Sequence, residues 1–299
     1  MSFTTEVKNE LAACEIAKTC CRKAYIYGLL YNSLRAEKGF ELTVNNAVAA
    51  SETVRLLKNV MHTEPEETEY VRAGRKTFRI AFISKSFSAA SDLLDNNPEA
   101  VISDAVGFRC HDCFRTFLRG VFLSCAGVND PHKGYHLEFA LARENITRAS
   151  KLYRFMSDEG FIPHISNREN FCGLYFKSNQ NISDILYFIG AVKSSFDFAN
   201  VCIERDIRNN ENRATNCVAT NIMKSVGASQ RQISAIKKLA DAHKLEALSD
   251  ELRQTAELRI QNMDATLSEL AELHNPPITK SGLNHRLKKI CDAAESLLK

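Results

Sequence analysis

Nowhere does this chain contain the run of about 18 apolar residues that a membrane-crossing helix requires. Its opening residues also lack the basic, apolar and small-residue succession of a secretory signal. They read instead as an amphipathic helix with Phe3, Val7 and Leu11 on one side. The chain is therefore expected to be soluble and cytoplasmic, with no membrane partner. Glycine-rich phosphate loops, HExxH helices and Cys-His or Ser-His pairs at interpretable spacing are all missing, which removes common motifs of nucleotide hydrolysis, zinc proteolysis and nucleophilic catalysis. A large excess of one charge is missing too. The formal net charge of +3 is too small to establish a polyanionic partner from the total, so any such argument must rest on a local cluster.

Cysteine is plentiful, with ten residues, but a recognisable metal framework is not apparent. Cys110-His111-Asp112-Cys113 has CxxC spacing, yet no second pair follows at zinc-ribbon distance, and Cys14, Cys20 and Cys21 form no standard complement. In a reduced compartment Cys125, Cys172, Cys202 and Cys217 are expected to be small core residues. Neither a metal nor a cofactor is expected.

What is present is a repeat. Tyr25-Ile26-Tyr27-Gly28-Leu29-Leu30-Tyr31-Asn32-Ser33 and Phe117-Leu118-Arg119-Gly120-Val121-Phe122-Leu123-Ser124-Cys125 are apolar helical segments with glycine at the same place. Downstream, Gly39–Val44 corresponds to Gly134–Phe139, and Thr77–Phe82 to Cys172–Lys177; both pairs alternate apolar residues as half-buried strands do. Between them Val54, Leu57, Val60 and Met61, or Leu152, Phe155 and Met156, follow helical spacing. Each half closes on a similar helix start, Ser91-Asp92-Leu93-Leu94 and Ser183-Asp184-Ile185-Leu186. The order in each half is helix, hairpin, helix, hairpin, helix. A period of about 90 residues is too long for a solenoid and indicates a duplicated half-domain. Gly28 and Gly120 would let two helix backbones approach and cross at a pseudo-two-fold axis.

These glycine-centred helices, each opening such a half, resemble the two motif helices of single-chain LAGLIDADG homing endonucleases. Together with the opening Met1-Ser2-Phe3-Thr4-Thr5-Glu6-Val7-Lys8-Asn9-Glu10-Leu11 and the helical segments of the C-terminal third, the chain is identified as a member of the bacterial WhiA family. The resemblance implies an α+β fold, a duplicated LAGLIDADG-like saddle followed by an all-α helix-turn-helix domain. In the endonucleases an acidic residue shortly after each motif glycine binds the divalent metal that activates water, and hard cations need such oxygen ligands. The matching positions here are Ser33 and Cys125. No Asp or Glu occurs between Tyr25 and Ala36 or between Cys113 and Asn129, and Asp130 falls beyond the expected helix end. No catalytic residue is therefore assigned, and the saddle is expected to keep its shape without the cutting centre.

Strand alternation places Phe78, Ile80 and Phe82 on a core face and Thr77 and Arg79 on the other, beside Glu41 and Thr43. The second half offers Lys177 and His136 beside Glu138. Mixed charge makes a poor phosphate track. Arg72, Arg75, Lys76 and Arg79, with Lys85, nevertheless form an acid-free run, and the first four are carried as auxiliary DNA contacts.

Past Ile203 the Asn-rich stretch 209–216 breaks the strand pattern, and the remainder of the chain is helical. The expected organisation is residues 1–113 for the N-terminal helix and first half, 114–206 for the second half, 207–221 for an Asn-rich linker, and 222–299 for a helical DNA-binding domain with its helix-turn-helix at about 266–290. Asn216–Asn221, followed by Ile222, Val226, Ile233, Ile236 and Leu239, reads as a long or interrupted helix. Ser249-Asp250-Glu251-Leu252 starts another, with acids where they complement the helix dipole. Thr266-Leu267-Ser268-Glu269 fits a capping box opening a short helix through Leu273. Asn275-Pro276-Pro277-Ile278 stops that helix, because proline cannot continue the hydrogen-bond ladder. Thr279 then caps a helix that turns Leu283, Leu287, Ile290 and Ala294 inward.

The outward face of this last helix carries Lys280, Ser281, Asn284, His285, Arg286, Lys288 and Lys289, and with Thr279 these are the expected DNA-binding residues. No acid occurs from Asn275 through Cys291. Asn and Arg suit base edges, and Lys288 and Lys289 suit phosphates. The resemblance implies a non-enzymatic, nucleoid-associated regulator of transcription, cell division and chromosome segregation, and of sporulation in lineages that sporulate. Its partners would be double-stranded DNA and, in actinobacteria, a WhiB-type iron-sulfur regulator or another transcription or division protein. Two other functions stay open from the residues: an endonuclease with displaced carboxylates, and a protein-interaction scaffold.

Overall fold

The computed structural model describes residues 2–72 and 74–296. The chain divides into two units, Met1–Asp206 and Ile207–Lys299. The first begins with α1 (Phe3–Ala12), whose Ser2 cap accepts a hydrogen bond from the Thr5 amide and whose Val7 and Leu11 are fully buried. Then come α2 (Thr19–Leu29), β1 (Leu34–Ala36), β2 (Gly39–Val44), α3 (Ala47–Met61), β3 (Glu66–Arg72), β4 (Arg75–Phe82) and α4 (Lys85–Asn96), followed by the short α5 (Ile102–Val106). The order repeats in α6 (Asp112–Cys125), β5 (Ala126–Val128), β6 (Leu137–Ala142), α7 (Ile146–Asp158), β7 (His164–Asn167), β8 (Phe171–Phe176) and α8 (Asn179–Ile189).

Both halves form a four-stranded antiparallel sheet with the same strand order, β1-β2-β4-β3 and β5-β6-β8-β7. Register explains why each sheet has one apolar face. Phe40, Leu42 and Val44 stand opposite Phe82, Ile80 and Phe78, and Leu137, Phe139 and Leu141 stand opposite Phe176, Leu174 and Cys172; all twelve are buried. Alternate residues of a strand share a face, so the inward sets pair across the ladder. The duplicated α+β fold expected from the sequence is thus the fold observed.

Five local expectations need correction. Ser91-Asp92 and Ser183-Asp184 lie inside α4 and α8, not at their starts; Ser84 caps α4 by accepting from the Phe87 amide, and Ser178 stands at the N-cap of α8. The strand expected from Gly134 begins at Leu137, since Asp130 to Gly134 close a turn through hydrogen bonds to the Asp130 carbonyl. Thr77 is buried beside Asn45, to whose Oδ1 its hydroxyl donates at 3.1 Å, and so is not part of an open outer face. Finally, the stretch 207–221 lies within the continuous helix α9 (Val192–Asp241). Its asparagines are exposed, and no proline interrupts the backbone hydrogen-bond ladder there. Cys217 is exposed on that helix and is not a core residue.

The second unit contains the C-terminal part of α9, then α10 (Asp250–Gln261), α11 (Leu267–Glu272) and α12 (Lys280–Glu295). Its core joins Ile236 and Leu239 of α9 and Leu270 of α11 to Leu283, Leu287, Ile290 and Ala294 of α12, the four residues whose spacing predicts burial. Ile222 and Val226, by contrast, are exposed.

Candidate nucleic-acid interface

Two regions bear on nucleic-acid chemistry: the paired motif helices of the first unit and the last two helices of the second. At the α2–α6 crossing a side chain on Gly28 would lie 2.0 Å from the Phe117 carbonyl oxygen, and one on Gly120 would lie 2.3 Å from that of Tyr25. Both contacts are with rigid backbone. Glycine at both positions is what permits this packing.

The ends of these helices, where the endonucleases would present acids, are chemically different here. Ser33 is buried with its hydroxyl unpartnered, while its carbonyl accepts from Arg148 at 3.1 Å. Arg148, on α7 and itself buried, also donates to the Tyr31 carbonyl and to Ser91, and pairs with Asp95 through two donors at 2.8 and 2.7 Å. At the other helix, Lys8 of α1 is buried and donates to the Leu123 carbonyl at 2.8 Å. Burial lowers the Lys8 ammonium to about 8, against a weaker opposing effect from Cys125, and burial pushes the Cys125 thiol up to about 11. A buried protein cation thus serves a carbonyl in the last turn of the second motif helix and carbonyls in the turn that follows the first. Asp130 lies past β5, where its carboxylate accepts from the His132 amide at 2.9 Å.

On the strand face two of the cations are already paired. Arg79 makes a two-point ion pair with Glu41 across the β2–β4 ladder, and Lys76 pairs with Glu69 at 2.7 Å. These acids lie on neighbouring strands, which is why the run looks uncompensated in sequence. Arg72 is exposed, and the Arg75 side chain lies outside the described residues. On the second sheet Tyr175 stacks between His136 and His164, with Lys177 over its ring at 5.2 Å, and Glu138 lies 3.6 Å from His136 and 3.8 Å from Arg168.

In the second unit α11 opens with the full capping box: the Thr266 hydroxyl accepts from the Glu269 amide, and the Glu269 carboxylate accepts from the Thr266 amide. Thr279 caps α12 by accepting from the Gly282 amide at 3.1 Å. Along α12, burial of Leu283, Leu287 and Ile290 fixes the outward set as Lys280, Ser281, Asn284, His285, Lys288 and Lys289, all exposed. Among the described residues, Lys280, Lys288 and Lys289 make no ion pair. The first turn of α12 holds no acid but begins with Lys280, the sign of charge that a helix N-terminus disfavours. Arg286 departs from the expected set. It is half-buried and pairs at 3.1 Å with Glu251, in the first turn of α10. The nearby His274 is buried with Nε2 unpartnered, and its pKa is lowered by burial and then by Arg286.

A feature that sequence reasoning missed is the convergence of Cys20, Cys21, Cys110 and Cys113. The repeat itself carried the signal: Cys21 stands as far before Gly28 as Cys113 does before Gly120, so the crossing helices bring both to one end. Cys14 points elsewhere, towards the Gly190 carbonyl at 3.6 Å.

Comparison with known proteins agrees with these observations. Residues 114–208 match the family model of the WhiA LAGLIDADG-like domain, and residues 212–294 match that of the WhiA C-terminal HTH domain. A protein of Desulforamulus reducens named "Probable cell division protein WhiA" is 35% identical over 99% of this chain and 96% of its own. One of the same name from Syntrophomonas wolfei is 32% identical over 100% of this chain and 99% of its own. The crystal structure of full-length DUF199/WhiA from Thermatoga maritima shares the fold, with a TM-score of 0.56 at 24% identity and 99% of both chains covered. With such relatives matched along its whole length, and with both of its units accounted for, the chain belongs to the WhiA family.

Proposed function

We propose that this chain is a non-catalytic regulator that binds double-stranded DNA through α11 and α12, with α12 in the major groove, and acts on transcription, cell division and chromosome segregation. The observation that carries this reading is the outward face of α12. Three unpaired lysines flank Asn284 and His285 there, and Lys280 occupies the dipole's unfavourable end. Such a placement costs stability unless anions complement it, and DNA phosphates would. Asn284 is placed to make paired hydrogen bonds to adenine, with Ser281 and His285 beside it; Lys288 and Lys289 serve as phosphate anchors. Arg286, held by Glu251, positions α12 against α10 and is not assigned to a base.

The first unit is read as a degenerate saddle. Buried Lys8 and Arg148 set positive charge beside Cys125 and Ser33, the positions of the metal-binding carboxylates, which at neutral pH opposes cation binding. Its sheets, with Lys76 and Arg79 already paired, contribute auxiliary contacts at most. The names of the relatives support a role in cell division; a sporulation role in sporulating lineages, a WhiB-type partner, and residence in the cytoplasm on the nucleoid complete the proposal.

The test is duplex binding across a salt series. Asn284→Ala is expected to lose about 1–3 kcal/mol on a preferred site and to relax preference at one base pair; the Lys288→Ala, Lys289→Ala double variant is expected to weaken all duplexes and lower the salt slope by about 2. Unchanged binding by both variants would move the site to the saddle. Wild-type protein that binds no duplex would favour a protein-interaction scaffold, and Mg²⁺-dependent plasmid cleavage lost on Asp130→Asn would restore an endonuclease.

A further inference from the structure

The first turns of α2 and α6 meet at the end of the helix pair opposite Ser33 and Cys125. Cys20 and Cys21 come from α2; Cys113 lies in the first turn of α6, and Cys110 just precedes it. The Cys110 sulfur lies 3.7 Å from that of Cys20, 3.4 Å from that of Cys21 and 3.6 Å from that of Cys113, and all four lie within 4.8 Å of one another. None is joined in a disulfide. A tetrahedral zinc held about 2.3 Å from each sulfur sets the sulfurs about 3.8 Å apart, the spacing seen here with little adjustment. Cys21 and Cys113 are buried, and Cys20 and Cys110 are only partly exposed, so the set is closed as structural sites are.

Two helix N-termini direct their positive ends at the cluster, and the Arg109 amide donates to the Cys113 sulfur at 3.4 Å, an outer-sphere contact that orients a ligand. Two ligands come from α2 and two from the start of α6, so an ion here would cross-link the two motif helices, one of which opens each sheet-bearing half.

We propose that Cys20, Cys21, Cys110 and Cys113 form a structural tetrathiolate zinc site that clamps the two halves of the first unit together. Each thiol releases its proton to solvent as its sulfur binds, with no change in oxidation state. The site is independent of the DNA-binding reading and holds whether or not α12 contacts a duplex.

The test uses the full chain expressed with added zinc. Elemental analysis is expected to give about one zinc per chain, falling to none in Cys21→Ser, Cys110→Ser and remaining unchanged in the control Cys291→Ser. Because the double variant could fail to fold, the wild-type protein is also stripped by chelator and refilled with Co²⁺, which is expected to develop the intense visible absorption of tetrahedral cobalt thiolate and to regain the thermal midpoint lost on stripping. Wild-type protein that is folded and metal-free, iron in place of zinc, a disulfide among the four cysteines, a weak octahedral cobalt spectrum, or zinc retained by the folded double variant would each overturn the proposal.

Discussion

Gly28 and Gly120 face each other across the α2–α6 crossing, each occupying the place where a side chain would collide with the other helix's backbone. Neither contact can be relieved by a rotamer change. Gly28→Ala or Gly120→Ala is therefore expected to cost about 3 kcal/mol or more by forcing the helices apart. Urea denaturation of the two variants checks this; a loss below about 1 kcal/mol at either site would mean that the crossing has slack.

Arg148 is a buried cation with four sets of partners: Asp95, Ser91 and the carbonyls of Tyr31 and Ser33. Arg148→Met keeps much of the volume but strands those acceptors, and a loss of about 3–5 kcal/mol is expected. The Asp95→Asn, Arg148→Met pair should lose less than the two single losses added together. Simple additivity in a double-mutant cycle would contradict the coupling.

Lys8 makes stability depend on pH in a definite direction. Its folded value of about 8 lies below the ordinary 10.5, so between these values the unfolded chain holds more protons and stability rises with pH. Compared with Lys8→Met, the wild-type protein should gain on the order of 2–3 kcal/mol in relative stability from pH 7 to beyond pH 10. Thermal unfolding of both proteins across that range reads the difference, in which shared effects of cysteine and tyrosine ionisation largely cancel. A gap that stays constant with pH would show that Lys8 is not desolvated.

The ion pair of Arg286 with Glu251 is solvent-facing on its acidic side and contributes at most about 1 kcal/mol to stability. Glu251→Gln should leave the thermal midpoint nearly unchanged while freeing Arg286. If α12 meets phosphate, duplex affinity should rise about threefold or more at low salt and the salt dependence should steepen. Weaker binding would instead show that Glu251 holds α12 in its binding pose.

The elements were largely legible because their causes are local or periodic. Alternation in Gly39–Val44 and Thr77–Phe82, the Thr266–Glu269 box, and the spacing of Leu283, Leu287 and Ile290 each specify a structure within a few residues. What could not be read depends on partners brought from far along the chain. Glu251 neutralises Arg286, Glu41 neutralises Arg79, and Cys20 and Cys21 meet a CxxC about 90 residues away only after two helices cross. The Asn-rich stretch misled for another reason. Asparagine lowers helix propensity by a fraction of a kcal/mol per residue, too little to break a helix that is continuous on either side.

Lys8 precedes the first motif helix yet serves the end of the second, while Arg148 belongs to the second half yet serves the end of the first. The two donors occupy unrelated positions, one on the opening helix and one on α7. Two copies of the first half would set a lysine at both ends, and two copies of the second an arginine; this chain sets one of each. Divergence has thereby made the halves unequal: the fold keeps the outline of a symmetric dimer, but its two ends are no longer equivalent.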